Sequence, residues 1–146
     1  MTPDQKRIVQ ETWRQVLPIS EAASALFYDR LFELDPALRP LFDGVDLPAQ
    51  RKKLMQAIAT VVGGLENLDA MVPQISALGR RHADYGVTDG HYETVGAALL
   101  WTLEQGLGDA WTRETEAAWT AAYTAIAGIM REAANDALPA ADAAVA

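Results

Sequence analysis

Apolar residues recur at three- and four-residue intervals along nearly the whole chain, and no segment shows the two-residue alternation of a half-buried strand. That pattern restricts the fold to packed helices. Val9, Thr12, Trp13 and Val16 stripe a first helix. Its start is Thr2-Pro3-Asp4-Gln5: a capping threonine, a proline suited to the first turn and a glutamine that closes a capping box. Pro18 stops it. Ser20 is placed to cap a second helix running to about Leu34, where Leu26, Phe27, Tyr28, Leu31 and Phe32 cover all but one polar side. So wide an apolar surface implies a helix wrapped by neighbours. Asp35-Pro36 opens a short helix ending near Leu41-Phe42, and Asp43-Gly44 reads as a turn.

The second half repeats the pattern. A helix from about Leu47 to Glu66 carries Leu54, Ile58, Val61, Val62 and Leu65 on one face, with Gly63-Gly64 near its end. A further helix covers roughly Val72 to Ala83 and is closed by Gly86. Two long helices follow, striped by Tyr92, Val95, Gly96, Leu99, Leu100 and Leu103, and then by Trp119, Ala122, Tyr123, Ile126 and Met130. Thr112 is a cap for the last. From Asp136 the chain becomes an Ala/Asp-rich stretch that reads as a disordered tail, so residues 1–135 form the expected domain. The expectation is a compact all-α domain of seven or eight helices.

Composition then excludes whole classes of function. With 12 Lys and Arg against 20 Asp and Glu, the formal charge is −8, which repels phosphate backbones and argues against a nucleic-acid role. Cysteine is absent, and with it go disulfides, thiolate metal sites, cysteine nucleophiles and iron–sulfur ligation. No apolar run approaches the roughly 20 residues that span a bilayer, and no apolar stretch follows Lys6-Arg7, so a cytoplasmic protein without a membrane role is expected. Glycine-rich phosphate loops, GxSxG and HExxH are all missing.

What remains is a set of polar side chains on apolar faces. Ile75, Leu78, Gly79 and His82 fall at i, i+3, i+4 and i+7, so His82 points inward while Arg80 and Arg81 point away. An inward histidine is either a core residue with a satisfied ring or a ligand, and spacing alone leaves both open. His91, at the start of the next helix, reads as a solvated surface residue. Gln50 joins the stripe of Leu54 and Ile58, and Tyr28 faces inward beside Phe32. Each needs a partner, because a buried unpaired polar group costs roughly 1–3 kcal/mol. Lys53 flanks the stripe as an ordinary rim lysine.

Three segments in order carry a resemblance. Leu26-Phe27-Tyr28-Asp29-Arg30-Leu31-Phe32 followed by Pro36-Ala37-Leu38-Arg39-Pro40-Leu41-Phe42, then Leu78-Gly79-Arg80-Arg81-His82 with Tyr85-Gly86-Val87, then Ala118-Trp119-Thr120-Ala121-Ala122-Tyr123, together resemble a globin over nearly the whole chain to about Ala134. Among globins the chain is similar to the bacterial single-domain members that share features with flavohaemoglobins and neuroglobin, the Hell's Gate type included. The resemblance implies a globin fold around haem b (iron protoporphyrin IX). It makes His82 the proximal iron ligand, stacks Phe42 on the porphyrin, and places Gln50 and Tyr28 against the bound gas. It further sets Leu54 one turn beyond Gln50, Lys53 and Arg81 by the propionates, and Val87, Tyr92 and Val95 along the proximal side or pocket wall.

Two departures from the family shape the expectations. Gln50 stands where neuroglobin has its distal histidine, so the iron's sixth position is expected open. Tyr92 matches the tyrosine that, with a glutamate, polarises the proximal histidine in flavohaemoglobins, but Ala134 stands in the glutamate's place. Glu132 is two residues off, roughly 200° around the helix. The implied ligands are oxygen, nitric oxide and carbon monoxide. Three functions follow: reversible oxygen binding, nitric oxide dioxygenation fed by a separate electron-donating reductase, or a haem-free module acting through protein contact.

Overall fold

The computed structural model describes the backbone of residues 1–145 and the side chains of residues 1–135. The boundary expected at 135/136 and the tail beyond it lie outside the residues whose side chains are described. Six α-helices make up the chain, and no strand occurs among the described residues: α1 Pro3–Val16, α2 Ser20–Leu34, α3 Leu47–Gly63, α4 Leu68–Asp84, α5 Asp89–Leu107 and α6 Arg113–Val145. Six is fewer than the seven or eight helices expected, because the short helix ending at Phe42 is one of four 3-10 segments, at Leu17–Ile19, Pro36–Phe42, Leu65–Asn67 and Gly108–Ala110.

Local chemistry accounts for most boundaries. The Thr2–Gln5 capping box forms in full, with Thr2 N–H donating to Gln5 Oε1 at 3.0 Å and Gln5 N–H to Thr2 Oγ1 at 3.1 Å. Asp35 accepts from the Ala37 N–H and Asp46 from the Ala49 N–H, so two aspartates frame the proline-rich segment before α3. Gly44 and Gly86 adopt φ of +76° and +94°, which closes the two turns where they were expected.

Four boundaries or positions differ. Ser20 does not cap α2, because the 3-10 segment before it runs straight into the helix and the Ser20 N–H already donates to Leu17 O. α3 ends at Gly63 rather than Glu66, because Gly64 admits the Met71 side chain: a Cβ there would lie 2.1 Å from Met71 Sδ. α4 begins at Leu68, one turn before Val72, and passes through Pro73. The proline forfeits one backbone hydrogen bond, and packing of the helix against α6 offsets the loss. His91 is half-buried and acts in the cap of α5, its Nδ1 accepting the Thr88 N–H at 3.0 Å, so it is not a free surface residue. The wide apolar surface of α2 is covered on the Phe27, Tyr28 and Leu31 side, whereas Leu26 and Leu34 remain exposed.

Two packings organise the core. α1 lies against α6, where Val9, Trp13 and Val16 meet Ala118, Trp119 and Ala122. The buried Trp119 Nε1–H donates to Thr12 Oγ1 at 2.9 Å, and Thr12 in turn donates to Ile8 O at 2.7 Å. α4 lies against α6 through Gly79, so closely that a Cβ at Gly79 would sit 2.4 Å from Met130 O. No helix among the described residues is long and apolar enough to cross a membrane.

The Gly79 contact is backbone on side chain's place, so no rotamer change can relieve it. Gly79→Ala is expected to destabilise the protein by about 1–3 kcal/mol, the usual cost of overpacking, because α4 and α6 must separate. Urea unfolding of the variant beside the parent measures it; an unchanged midpoint would mean that α4 is free to shift.

Candidate functional site

Two clusters meet along α5. In the first, Phe27, Tyr28, Leu31, Leu38 and Ala98 are buried, with Phe32, Phe42, Leu54, Val95 and Leu99 packed against them. In the second, Ile75, Tyr92, Ala127 and Met130 are buried, with Leu78, Val87 and Tyr123 around them. Tyr92 and Val95 are three residues apart on α5, about one turn, so the helix carries both clusters on one side. His82 enters between Leu78 and Val87, the residues of the second cluster that flank it in sequence. A further bridge is the turn after α4. At Gly86 a Cβ would touch Leu41 Cδ2 at 3.4 Å, which sets the exit of α4 against the segment that ends in Phe42.

The state of His82 follows from its hydrogen bond. Its Nδ1 lies 2.8 Å from Leu78 O, an atom that can only accept, so Nδ1 carries the proton and Nε2 keeps a lone pair. Burial holds the ring's pKa below the ordinary imidazole value; the Leu78 bond opposes that shift and the nearby Arg81 charge adds to it. A neutral, oriented imidazole with one open nitrogen is the form that ligates a metal. The donor set therefore fits a proximal ligand to haem iron.

Opposite in character is the pair Tyr28 and Gln50. Tyr28 sits within an aromatic cage, with ring centroids 5.0 Å from Phe27, 5.6 Å from Phe42 and 6.2 Å from Phe32. Burial raises the pKa of its hydroxyl, and the nearby Gln50 side chain partly offsets the rise. Phe32 and Phe42 meet edge-on at 5.4 Å, and the Arg39 guanidinium covers Phe32 at 5.1 Å. The structure thus joins Tyr28, Gln50, Phe42, Leu54 and Val95 in one apolar region. Lys53 and Arg81 are exposed, and neither joins a salt bridge among the described residues.

Tyr92 behaves differently from the flavohaemoglobin pattern. It is 6% exposed, and its hydroxyl is buried without a hydrogen-bond partner. Leu78 O, not Tyr92, is the partner given to His82 Nδ1. The Tyr92 ring lies 5.1 Å beneath the Arg131 guanidinium, which also donates to Asp89 O at 3.0 Å, and its carbonyl accepts the Tyr123 hydroxyl. Arg131 and Tyr123 escaped the sequence reading. Tyr123 reads there as one more stripe residue, and nothing about Arg131 in an alanine-rich helix marks it as half-buried.

Comparison with known proteins agrees with this fold. The globin family model matches residues 25–130. An anaerobic nitrite reductase of rice (Oryza sativa subsp. indica) is 29% identical over 133 residues, which cover 88% of this chain and 92% of that protein. The flavohemoprotein of Vibrio cholerae is 30% identical over 131 residues, covering 88% of this chain; the chain spans 33% of that relative's length. A bacterial globin from Campylobacter jejuni superposes with a TM-score of 0.82 at 26% identity, over 94% of this chain and 99% of that one. An engineered carbene transferase from a nitric oxide dioxygenase-like protein of Rhodothermus marinus does so with a TM-score of 0.84 at 27% identity, over 97% and 99%.

Three phenols are held neutral by burial: Tyr28, Tyr92 and Tyr123, the last pushed well above the ordinary tyrosine range. Their folded pKa values exceed the unfolded value of about 10, so unfolded chains release these protons first. The resulting stability is fully present below about pH 10 and is lost as pH rises through the folded values. Urea unfolding at pH 8 and pH 11 should show this loss, and Tyr123→Phe should make it smaller. An equal loss in the variant would remove Tyr123 as a source.

Proposed function

The chain belongs to the globin family, and from that premise we propose that it is a haem protein that binds oxygen reversibly and consumes nitric oxide with electrons from a separate reductase. The observation that carries the reading is His82, half-buried and held by its Nδ1–H bond to Leu78 O so that Nε2 is left to ligate, in a chain that also buries the Tyr28 phenol near the Gln50 amide. When bound, haem b supplies an iron with one position open to a diatomic ligand, and a route for single electrons. His82 would hold the group through Nε2, while its Nδ1–H bond to Leu78 O fixes the ring. Phe42, Leu54, Val87 and Val95 would supply apolar walls that exclude water. Lys53 and Arg81, exposed at the rim, are free to meet the propionates, at about 0–1 kcal/mol per pair.

Tyr28 and Gln50 supply the selectivity. Their O–H and N–H groups come from α2 and α3, and both can donate to an oxygen ligand that carries partial negative charge. Carbon monoxide accepts hydrogen bonds weakly and would bind without that help. Nitric oxide consumption is supported by the Rhodothermus relative, described as nitric oxide dioxygenase-like, and by the Vibrio flavohemoprotein. Steady-state nitric oxide consumption in the presence of a reductase tests it, and a rate no higher than that of free haem would reject it.

His82→Ala is expected to lose the five-coordinate ferrous spectrum and retain haem poorly, because the other histidine, His91, is engaged in the cap of α5. The parent protein should be five-coordinate and high-spin when ferrous, since the Gln50 amide is a poor iron ligand. A low-spin, six-coordinate ferrous spectrum would displace Gln50 from this role.

Tyr28→Phe should speed oxygen dissociation on the order of tenfold, from loss of about 1.4 kcal/mol of hydrogen bonding. Gln50→Leu should act in the same direction, and the double variant should fall short of the product of the two if the donors share one oxygen. Stopped-flow measurement with oxygen and carbon monoxide separates bonding from crowding. Equal acceleration of both gases would mean that the side chains act by shape.

A further inference from the structure

The segment between α2 and α3 carries two side chains that close on one ring. Pro36–Phe42 is a 3-10 segment with prolines at 36 and 40, and the Asp35 side chain accepts the Ala37 N–H at its start. Proline fixes φ at both positions, which stiffens the segment. Buried Leu38 anchors its middle in the first cluster. From the next position the exposed Arg39 reaches back to α2, where its guanidinium carbon stands 5.1 Å from the centroid of the Phe32 ring. Phe42 leaves the far end of the segment and meets that same ring edge-on, with centroids 5.4 Å apart and planes at 75°. Phe32 is thus gripped by two residues of one stiff piece of chain.

What the grip reaches is Tyr28. Tyr28 lies one turn before Phe32 on α2, with ring centroids 6.2 Å apart, and it meets Phe42 at 5.6 Å with planes at 75°. Tyr28 and Phe32 belong to the helix, whereas Phe42 belongs to the segment and keeps its place only while the segment does. The negative face of an aromatic ring attracts a cation, and the flat guanidinium suits it well. Arg30 over Trp101 and Arg131 over Tyr92 are the other cation–ring contacts among the described residues. Of the three, only the Arg39 contact falls on a ring packed against Tyr28. Arg39 joins no salt bridge among the described residues, so nothing there competes for its charge.

We propose that Arg39 is a positioning residue for the gas-binding side: its guanidinium clamps the Pro36–Phe42 segment onto Phe32 and so fixes Phe42 against the Tyr28 ring. The proposal rests on the reading that Tyr28 donates to bound oxygen. Arg39 touches neither gas nor haem, and acts through Phe32 and Phe42. Without the clamp Phe42 is free to shift, and the Tyr28 hydroxyl then points away from the ligand part of the time. Oxygen, which depends on that donor, leaves faster. Carbon monoxide, which accepts hydrogen bonds weakly, leaves at the same rate. An exposed cation–ring contact is worth about a two- to fivefold change in rate, less than the loss of the phenol itself.

The test compares the haem-loaded parent with Arg39→Gln, which keeps a flat polar end without charge, and Arg39→Lys, which keeps the charge. Stopped-flow oxygen release should quicken about two- to fivefold in Arg39→Gln with carbon monoxide release unchanged, and Arg39→Lys should recover most of the difference. The carbon–oxygen stretching band of the carbon monoxide form, which responds to the field of nearby donors, should gain a component in Arg39→Gln that the parent and Arg39→Lys lack. In a Tyr28→Phe background, Arg39→Gln should leave oxygen release where it was, because no hydroxyl remains to misdirect. Parental oxygen release in Arg39→Gln, or an Arg39→Lys variant that behaves like Arg39→Gln, would overturn the proposal alone. So would equal acceleration with and without Tyr28, which would leave Arg39 a merely structural residue. A parent whose oxygen release ignores Tyr28→Phe would overturn it together with the reading of Tyr28 as a donor.

Discussion

The approach of α4 to α6 at Gly79 is the constraint on which the site depends. With no side chain at that position, the α4 backbone rests directly on Met130, and His82 follows three residues later on the same helix. The separation of the two backbones therefore fixes how far the imidazole reaches inward. Tyr123 crosses from α6 to the Tyr92 carbonyl, and its ring lies against Gly96, where a Cβ would come within 2.7 Å of Cε2. Small residues at two points thus let α6 act as the common wall behind both α4 and α5.

Much of this arrangement is legible in the residues. The stripes fix every α-helix, and Thr2, Asp35 and the turn glycines fix their junctions, because capping and positive φ are local chemistry. His82 is legible as inward and Tyr28 and Gln50 as needing a partner. That the two side chains lie near each other is not, since they are on different helices and no local rule relates them. The errors share one cause. Ser20 as a cap, Val72 as a helix start and His91 as a surface residue are the usual local readings, and in each the neighbouring turn or the packed helix decides otherwise. Tertiary contact overrides propensity where the two differ by a kcal/mol or so.

The proximal side has its own logic. Leu78 O orients His82, and the residue stacked over Tyr92 is a cation, Arg131, while Ala134 leaves no carboxylate at the glutamate's place. A backbone carbonyl accepts a proton's hydrogen bond without taking the proton away, so the imidazole keeps its neutral character.

The hydrogen bond between Trp119 and Thr12 spans 107 residues of sequence, and α6 covers the buried faces of both α1 and α4. During synthesis, Ala23, Val62 and Leu65 can therefore meet α1 early, whereas its partners Trp119 and Ala122 are made last. Closing so long a loop carries an entropic cost that grows only slowly with length, so the delay is one of timing rather than of thermodynamics. Until then the face of α1 that meets α6 stays uncovered. The same late helix that forms the wall behind α4 and α5 also ends the period in which that face of α1 needs protection from its neighbours.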